Sequence, residues 1–119
     1  EHSTHEVSGG PKLTRVHLTN TYHGSMEGEG AADAVLLYLE ERSGHYVGLE
    51  HLVARIGDRA GAFALRHVGT FSEDGRIEAD SMVVEGSGTG DLAGLHGRGH
   101  YASQIGEPTA RFTLEHDRG

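Results

Sequence analysis

The chain has 119 residues, no cysteine and a formal net charge of −8 at pH 7, from 10 Lys and Arg against 18 Asp and Glu. That length suits one domain with a single core, and the acidic balance argues against a nucleic-acid partner. The absence of cysteine excludes disulfides and thiolate metal sites, and the sequence shows neither a signal peptide nor an apolar run of about 18 residues, so we expect a cytoplasmic protein without a membrane partner.

Apolar and polar residues alternate along most of the chain, which predicts β-strands rather than helices. Segment 31–42 is the best helix candidate, but its neighbours alternate with period two, and we assign a strand there as well. The turns between the strands contain Gly24 and Gly28, Ser43-Gly44, Gly57-Asp58, Asp74-Gly75, and Gly106 with Pro108. The predicted strands are 12–23, 30–39, 45–56, 61–71, 77–85, 95–103 and 109–116.

Short strands joined by brief turns favour an all-β fold, an antiparallel up-and-down β-barrel. In a closed meander the first and last strands are antiparallel only when the number of strands is even, and here seven are predicted. We therefore expect residues 1–7 to supply the remnant of an eighth strand, a partner to complete the barrel, or the barrel to stay incomplete. Residues 1–119 are interpreted as one domain, with 1–11 irregular or part of that first strand.

Four segments carry a resemblance to a known family, and they occur in the order GGPKLTR (9–15), YVGLE (46–50), GAFALRHVGTF (61–71) and VVEGSGTGDLAGL (83–95). Over residues 9–116 the chain resembles the bacterial domain of unknown function family 3224. The resemblance implies a small β-barrel similar to plant allene oxide cyclase and dirigent proteins, and it brings no established activity. Members of that family usually open with one more strand before the Gly-Gly-Pro segment, which we expect this chain to lack, and the resemblance implies a lysine where this chain has Asn20.

Successive side chains of a strand point to opposite faces of the sheet, and this alternation indicates which residues face the interior. The interior face of 61–71 is apolar apart from His67, and the matching face of 45–56 carries one acid, Glu50. If Asp58 and Arg59 form a two-residue turn, Glu50 lies directly opposite His67. Cβ atoms of opposed residues are about 4.5–5.5 Å apart, close enough for a charge-assisted hydrogen bond.

The neighbouring turns extend this interior row. The turn at 72–76 places His67 opposite Ser81, and a loop at 39–44 places Ala34 beside Glu50. Small residues around the row leave space for a ligand. The residues predicted to bind it are Asn20, Tyr46, Glu50, His67 and Ser81.

Three functions fit such a row. The first is binding of a small, largely apolar molecule in the interior. The second is an isomerase or cyclase in which Glu50 and His67 act as general base and general acid. The third is a structural or interaction barrel with a filled interior, in which the row only fixes strand register. No cofactor is predicted, and a Ser–His–Glu hydrolase is disfavoured because no nucleophile elbow is present.

Two further patterns argue against other sites. The glycine block 86–90, GSGTG, lacks the Lys-Ser/Thr ending of a phosphate loop, and we interpret it as a structural loop that caps one end of the barrel. His96 and His100 would lie about 13 Å apart on a strand, which is too far for one metal ion. No metal site is therefore predicted.

The outward face of 45–56 carries three apolar residues, Val47, Leu49 and Val53. Exposed apolar stripes often mark an interface between subunits. The sequence therefore predicts a homo-oligomer.

Overall fold

The computed structural model describes residues 2–6, 12–104, 106–107 and 110–117. These residues form one antiparallel sheet in which the strands follow each other in chain order. The eight strands are β1 His2–Glu6, β2 Lys12–Tyr22, β3 Met26–Tyr38, β4 Gly44–Ile56, β5 Arg59–Phe71, β6 Arg76–Val83, β7 His96–Gln104 and β8 Arg111–Asp117. A short 3-10 helix, Gly90–Leu92, lies in the loop between β6 and β7.

The chain ahead of Lys12 supplies an eighth strand, which is one of the alternatives left open by the count of seven, so the additional strand expected to be missing is present. β1 pairs with the first part of β2, from His2 opposite Val16 to Glu6 opposite Lys12. Within the described ranges no ladder joins β8 to β1 or β2, so the sheet is open. The predicted closed barrel, of allene oxide cyclase or dirigent type, is therefore not confirmed. Because β1 covers only the start of β2, the remaining edge of β2 borders a cleft towards β8.

All seven strands predicted from alternation occur, and the largest boundary difference lies at β3. That strand begins at Met26, four residues before the predicted start at residue 30, because Gly28 is not a turn residue. Gly28 pairs with Tyr22 on one side and Ala54 on the other, and a Cβ at Gly28 would lie 2.6 Å from Cα of Ala54. The turn itself uses Gly24, with φ of +107°. The predicted turn residue Pro108 and the start of the last strand at residue 109 lie outside the described residues.

The hydrophobic core lies on the inner face at one end of the sheet. The glycine block belongs to the loop that covers this end, and the structural role predicted for it is confirmed by its contacts. The N–H of Thr89 donates to the carbonyl of Ala62 at 2.8 Å, and the hydroxyl of Ser87 accepts from the N–H of Ala64 at 3.0 Å. The loop also supplies two of the core residues, which are Met26, Leu52, Ala54, Phe63, Leu65, Val83, Leu92 and Leu95.

The outer face of β4 exposes the apolar stripe expected from its sequence. Val47, Leu49 and Val53 retain 52%, 59% and 64% of their accessible surface. The subunit interface inferred from this stripe stays a prediction. Among the described residues no helix is long and apolar enough to cross a membrane.

Candidate functional site

The hairpin between β4 and β5 fixes the position of the buried acid, Glu50. Its turn is Gly57-Asp58, so that Ile56 pairs with Arg59 and Glu50 lies opposite Leu65. Gly57 takes φ of +65° and Asp58 does not, which is the pattern of a type II′ turn with glycine first. The turn predicted at Asp58-Arg59 is therefore wrong by one residue, and the predicted direct opposition of Glu50 and His67 is wrong by two.

The predicted contact between Glu50 and His67 is nevertheless confirmed. A shift of two residues keeps every side chain on the same face of the sheet. The two residues become diagonal neighbours, a separation that long side chains can span. Nε2 of His67 lies 2.8 Å from Oε1 of Glu50, and the Glu50 side chain is only 1% exposed.

Three more side chains complete a hydrogen-bonded row, which we call the Glu50 network. Nδ2 of Asn20 donates to Oε2 of Glu50 at 3.0 Å, and the hydroxyl of Tyr22 lies 2.8 Å from both carboxylate oxygens. Nδ1 of His67 lies 2.6 Å from Oγ of Ser81, which is directly opposite it as predicted. No buried side-chain nitrogen or oxygen among the described residues lacks a hydrogen-bond partner.

Small residues on β3 allow side chains from β2 to meet one from β4, although these strands are not neighbours. Gly30 lies between Asn20 and Leu52, and Ala32, rather than the predicted Ala34, lies opposite Glu50. A Cβ at Gly30 would overlap Oε2 of Glu50 and lie 2.8 Å from its Cδ. The carboxylate therefore occupies the space that a side chain at position 30 would need.

Sequence reasoning missed Tyr22 and placed Tyr46 in the row. Tyr22 is two residues after Asn20 on the same strand, so the parity that predicted Asn20 applied to it as well. Tyr46 lies on the same inner face, opposite Leu36 and Gly69, but makes no hydrogen bond to the Glu50 network. Burial raises the pKa of Tyr46 to about 12.

Burial and hydrogen bonding in the Glu50 network shift the pKa values of Glu50 and Tyr22 and so set their protonation states. Burial is the largest influence on Glu50 and raises its pKa, but hydrogen bonds from His67, Asn20 and Tyr22, with the charge on His67, together hold the pKa below the ordinary 4.5. Burial, and then the adjacent Glu50 carboxylate, raise the pKa of Tyr22 well above its usual 10.0. Near neutral pH Glu50 is thus an ionised acceptor and Tyr22 a neutral donor. His67 then carries a proton on Nε2.

These shifts predict how stability depends on pH. The pKa of Glu50 is lower in the folded chain than its ordinary 4.5, so its contribution is complete above that value and is lost as pH falls through the folded value. Glutamine resembles the protonated acid and does not titrate. We expect the difference in unfolding free energy between the wild type and Glu50→Gln, measured by urea denaturation from about pH 7 to pH 3, to shrink as pH falls. A difference of constant size would contradict this.

An open cleft of about 890 Å³ lies between β2 and β8, beside the network. Tyr22 and Phe112 meet across it edge to face, with ring centroids 5.5 Å apart. Of the residues predicted to bind a ligand, Asn20 lines the cleft, whereas Tyr46, Glu50, His67 and Ser81 do not. Tyr22 also lines it, so Asn20 and Tyr22 connect the buried carboxylate to the open space.

Three exposed histidines lie beside carboxylates on the outer surface rather than in a shared centre. His17 lies 2.9 Å from Asp33, and His100 lies 3.4 Å from Glu78 and 3.3 Å from Asp80. In the part of the chain that the structure describes, no three His, Asp or Glu side chains are grouped so as to hold a metal ion.

Comparison with known proteins identifies the family of the chain. No curated protein matches it. A crystal structure of a protein of unknown function from Shewanella oneidensis MR-1, of the DUF3224 family, is similar with 26% sequence identity and a TM-score of 0.73, covering 98% of this chain and 87% of that one. The model of DUF3224, a family of proteins of unknown function, matches residues 1–116. The chain therefore belongs to the DUF3224 family.

Proposed function

We propose that this protein binds a small, largely apolar molecule in the cleft between β2 and β8. The observation that carries the proposal is the mixed lining of this cleft, in which apolar and aromatic side chains lie beside polar ones that include Asn20 and Tyr22. Its volume of about 890 Å³ suits a small molecule, since ligand pockets commonly measure about 300–1,000 Å³. The apolar and aromatic lining residues are Met26, Ile56, Tyr101, Phe112 and Leu114.

The Glu50 network prepares the two polar side chains for binding. One N–H of Asn20 and the O–H of Tyr22 are committed to the carboxylate. The carbonyl of Asn20 and the phenolic oxygen of Tyr22 remain as acceptors for a ligand. Because the buried carboxylate holds both groups in place, a ligand would not have to order them on binding.

The same geometry favours binding over catalysis by Glu50. A general base must reach the proton it abstracts, but Glu50 is 1% exposed and does not line the cleft. Its lowered pKa also makes it a weak base. Glu50, His67 and Ser81 are therefore proposed to position Asn20 and Tyr22. The volume of the cleft argues against a wholly filled interior.

Blocking the cleft tests the proposal. Ala110 is exposed and lines the cleft, so the indole ring of Ala110→Trp takes up space in the cleft without entering the core. We expect this variant to bind the neutral fluorescent probe N-phenyl-1-naphthylamine at least about tenfold more weakly than the wild type, because the ring occupies the space of the probe. The matched control is Ala31→Trp, an exposed alanine on β3 outside the lining, which should bind normally. Equal binding by both variants would refute the cleft as the site.

The natural occupant can be sought directly. Native mass spectrometry of the protein purified from its own host should show a co-purifying small molecule. The same adduct should be reduced in Ala110→Trp and retained in Ala31→Trp. An adduct that is equally abundant in both variants would place the bound molecule elsewhere.

A further inference from the structure

The apolar stripe on the outer face of β4 extends onto the neighbouring strands. Val47 pairs with Val35 on β3 and with Val68 on β5, so these three residues form one row across the outer face. Val68 retains 51% of its accessible surface. Leu13 and Leu37, opposite each other on β2 and β3, are exposed beside this row. Contiguous apolar surface of this kind marks an interaction site.

Charges of opposite sign flank this apolar surface on its two sides. In the row through Leu49, Asp33 is the neighbour on β3 and Arg66 the neighbour on β5. Arg66 forms no ion pair with another described residue. Oδ1 of Asp33 lies 2.9 Å from His17, but the Asp33 side chain is 63% exposed and can accept further hydrogen bonds.

The row through Val47 repeats this pattern further out, with the signs reversed. Its register runs from Arg15 on β2 to Asp80 on β6, so each of these charges lies two strands from β4. Both residues are exposed, and the Asp80 side chain retains 91% of its accessible surface although it lies 3.3 Å from His100. The two sides of β4 therefore carry opposite charges at matching positions in both rows.

A twofold axis that runs along β4 makes this face complementary to itself. Such an axis brings two outer faces together and exchanges the two sides of β4, so that a residue on one side meets the residue at the matching position on the other side. Asp33 then faces Arg66 of the second copy, and Arg15 faces Asp80 of the second copy. The apolar residues of β4 lie on the axis and meet their own counterparts. The strands of the two copies are nearly aligned, as in other sheets packed face to face.

A twofold axis at right angles to the strands does not fit the charges. An axis along the row of Leu49 would keep every residue on its own strand, so that Asp33 would face Asp33 and Arg66 would face Arg66. Like charges placed against each other disfavour an interface. The arrangement of charges therefore selects the axis along β4.

We propose that this protein forms a twofold homodimer through the outer face of β3, β4 and β5, with β4 on the axis and Asp33 paired with Arg66 of the second copy. The face from β2 to β6, over residues 45–53 of β4, measures about 24 by 30 Å at ordinary strand spacings. This size approaches the roughly 800 Å² per partner that a standard interface buries. The proposal goes beyond the binding of a ligand, because the cleft lies between β2 and β8 rather than on this face.

Reversing one charge at a time tests the dimer and its axis. Asp33→Arg places two arginines together at both contacts, and Arg66→Asp places two aspartates together. We expect each variant alone to raise the dimer dissociation constant at least about a hundredfold, because the axis repeats the repulsive contact. An equimolar mixture of the two variants should dimerise again, because both contacts then join opposite charges. Sedimentation velocity measures the wild type, both variants and the mixture.

Each reversal has a matched control away from the interface. Arg98→Asp changes an exposed arginine in the same row as Arg66, but on β7, three strands from β4. Glu107→Arg changes an exposed acid in the connection between β7 and β8. Both controls should dimerise like the wild type, and thermal melts verify that every variant is folded. A wild type that is monomeric or larger than a dimer, dimers that survive both single reversals, or a mixture that stays monomeric would each overturn the proposal.

Discussion

Replacing Glu50 by leucine is expected to lower the free energy of unfolding by about 3 kcal/mol, because the change leaves several buried hydrogen-bond donors without their acceptor. Leucine fills most of the space but accepts no hydrogen bond. The donors of Asn20, Tyr22 and His67 then lose their shared acceptor. Asn20 and Tyr22 can turn towards water in the cleft, whereas His67, 12% exposed, has less access to water.

The matched control is Glu50→Gln, for which we expect a loss of only about 1 kcal/mol. Glutamine keeps an oxygen for Asn20 and Tyr22. Its amide nitrogen can donate to Nε2 of His67 once the imidazole proton moves to Nδ1, where Ser81 can accept it. Urea denaturation at neutral pH measures both variants. Leucine and glutamine variants of equal stability would show that the hydrogen bonds of Glu50 contribute nothing to the fold.

Gly30→Ala is expected to destabilise the protein by about 2 kcal/mol, the scale of a clash in a packed interior. The added methyl group would occupy the position of Oε2 of Glu50. The carboxylate would have to move away from Asn20 and Tyr22, with loss of their hydrogen bonds. Gly48→Ala is the matched control on the same inner face, because the nearest atoms to its added Cβ lie at 3.0 Å or more. Gly48→Ala should therefore lower the free energy of unfolding by less than Gly30→Ala does.

A double-mutant cycle distinguishes this clash with Glu50 from a general intolerance of β3 to any side chain at position 30. In the background of Glu50→Ala no carboxylate is present, and Gly30→Ala should then be neutral or slightly stabilising, since alanine suits a strand interior better than glycine does. The coupling free energy between the two sites should exceed about 1 kcal/mol, as expected for residues in contact. Additive effects, measured by urea denaturation of the four proteins, would mean that Gly30 is required for another reason.

Much of the fold could be predicted because alternation is a local signal. The seven long strands, the turn at Asp74-Gly75 and the inward face of each strand all follow from residues close together in the chain. The start of β3 could not be predicted in this way. Gly28 looks like a turn residue by composition, but it is a strand residue whose missing side chain makes room for Ala54 on the next strand.

The candidate site, like the fold, could be predicted only where the signal is local in the sequence. The contact between Glu50 and His67 was predictable despite the wrong turn, because an error of two residues preserves the face. The pairing register of β4 and β5 was not predictable, because both Gly57-Asp58 and Asp58-Arg59 are plausible turns. Only the folded hairpin shows which of the two forms. The role of Tyr22 in the Glu50 network could not be predicted from the sequence. It depends on the close approach of β2 and β4 over the glycines of β3.

The sequence by itself determined which residues face inward, because side chains alternate with period two along every strand. It thereby determined that Glu50, His67 and Ser81 share one face. Only the tertiary structure decided that the sheet stays open and that a cleft separates β2 from β8, with Asn20 and Tyr22 both at that cleft. The physical reason is that the curvature of a sheet is the sum of the twist and packing of all its strands, so no short segment of sequence encodes where its edges come to lie.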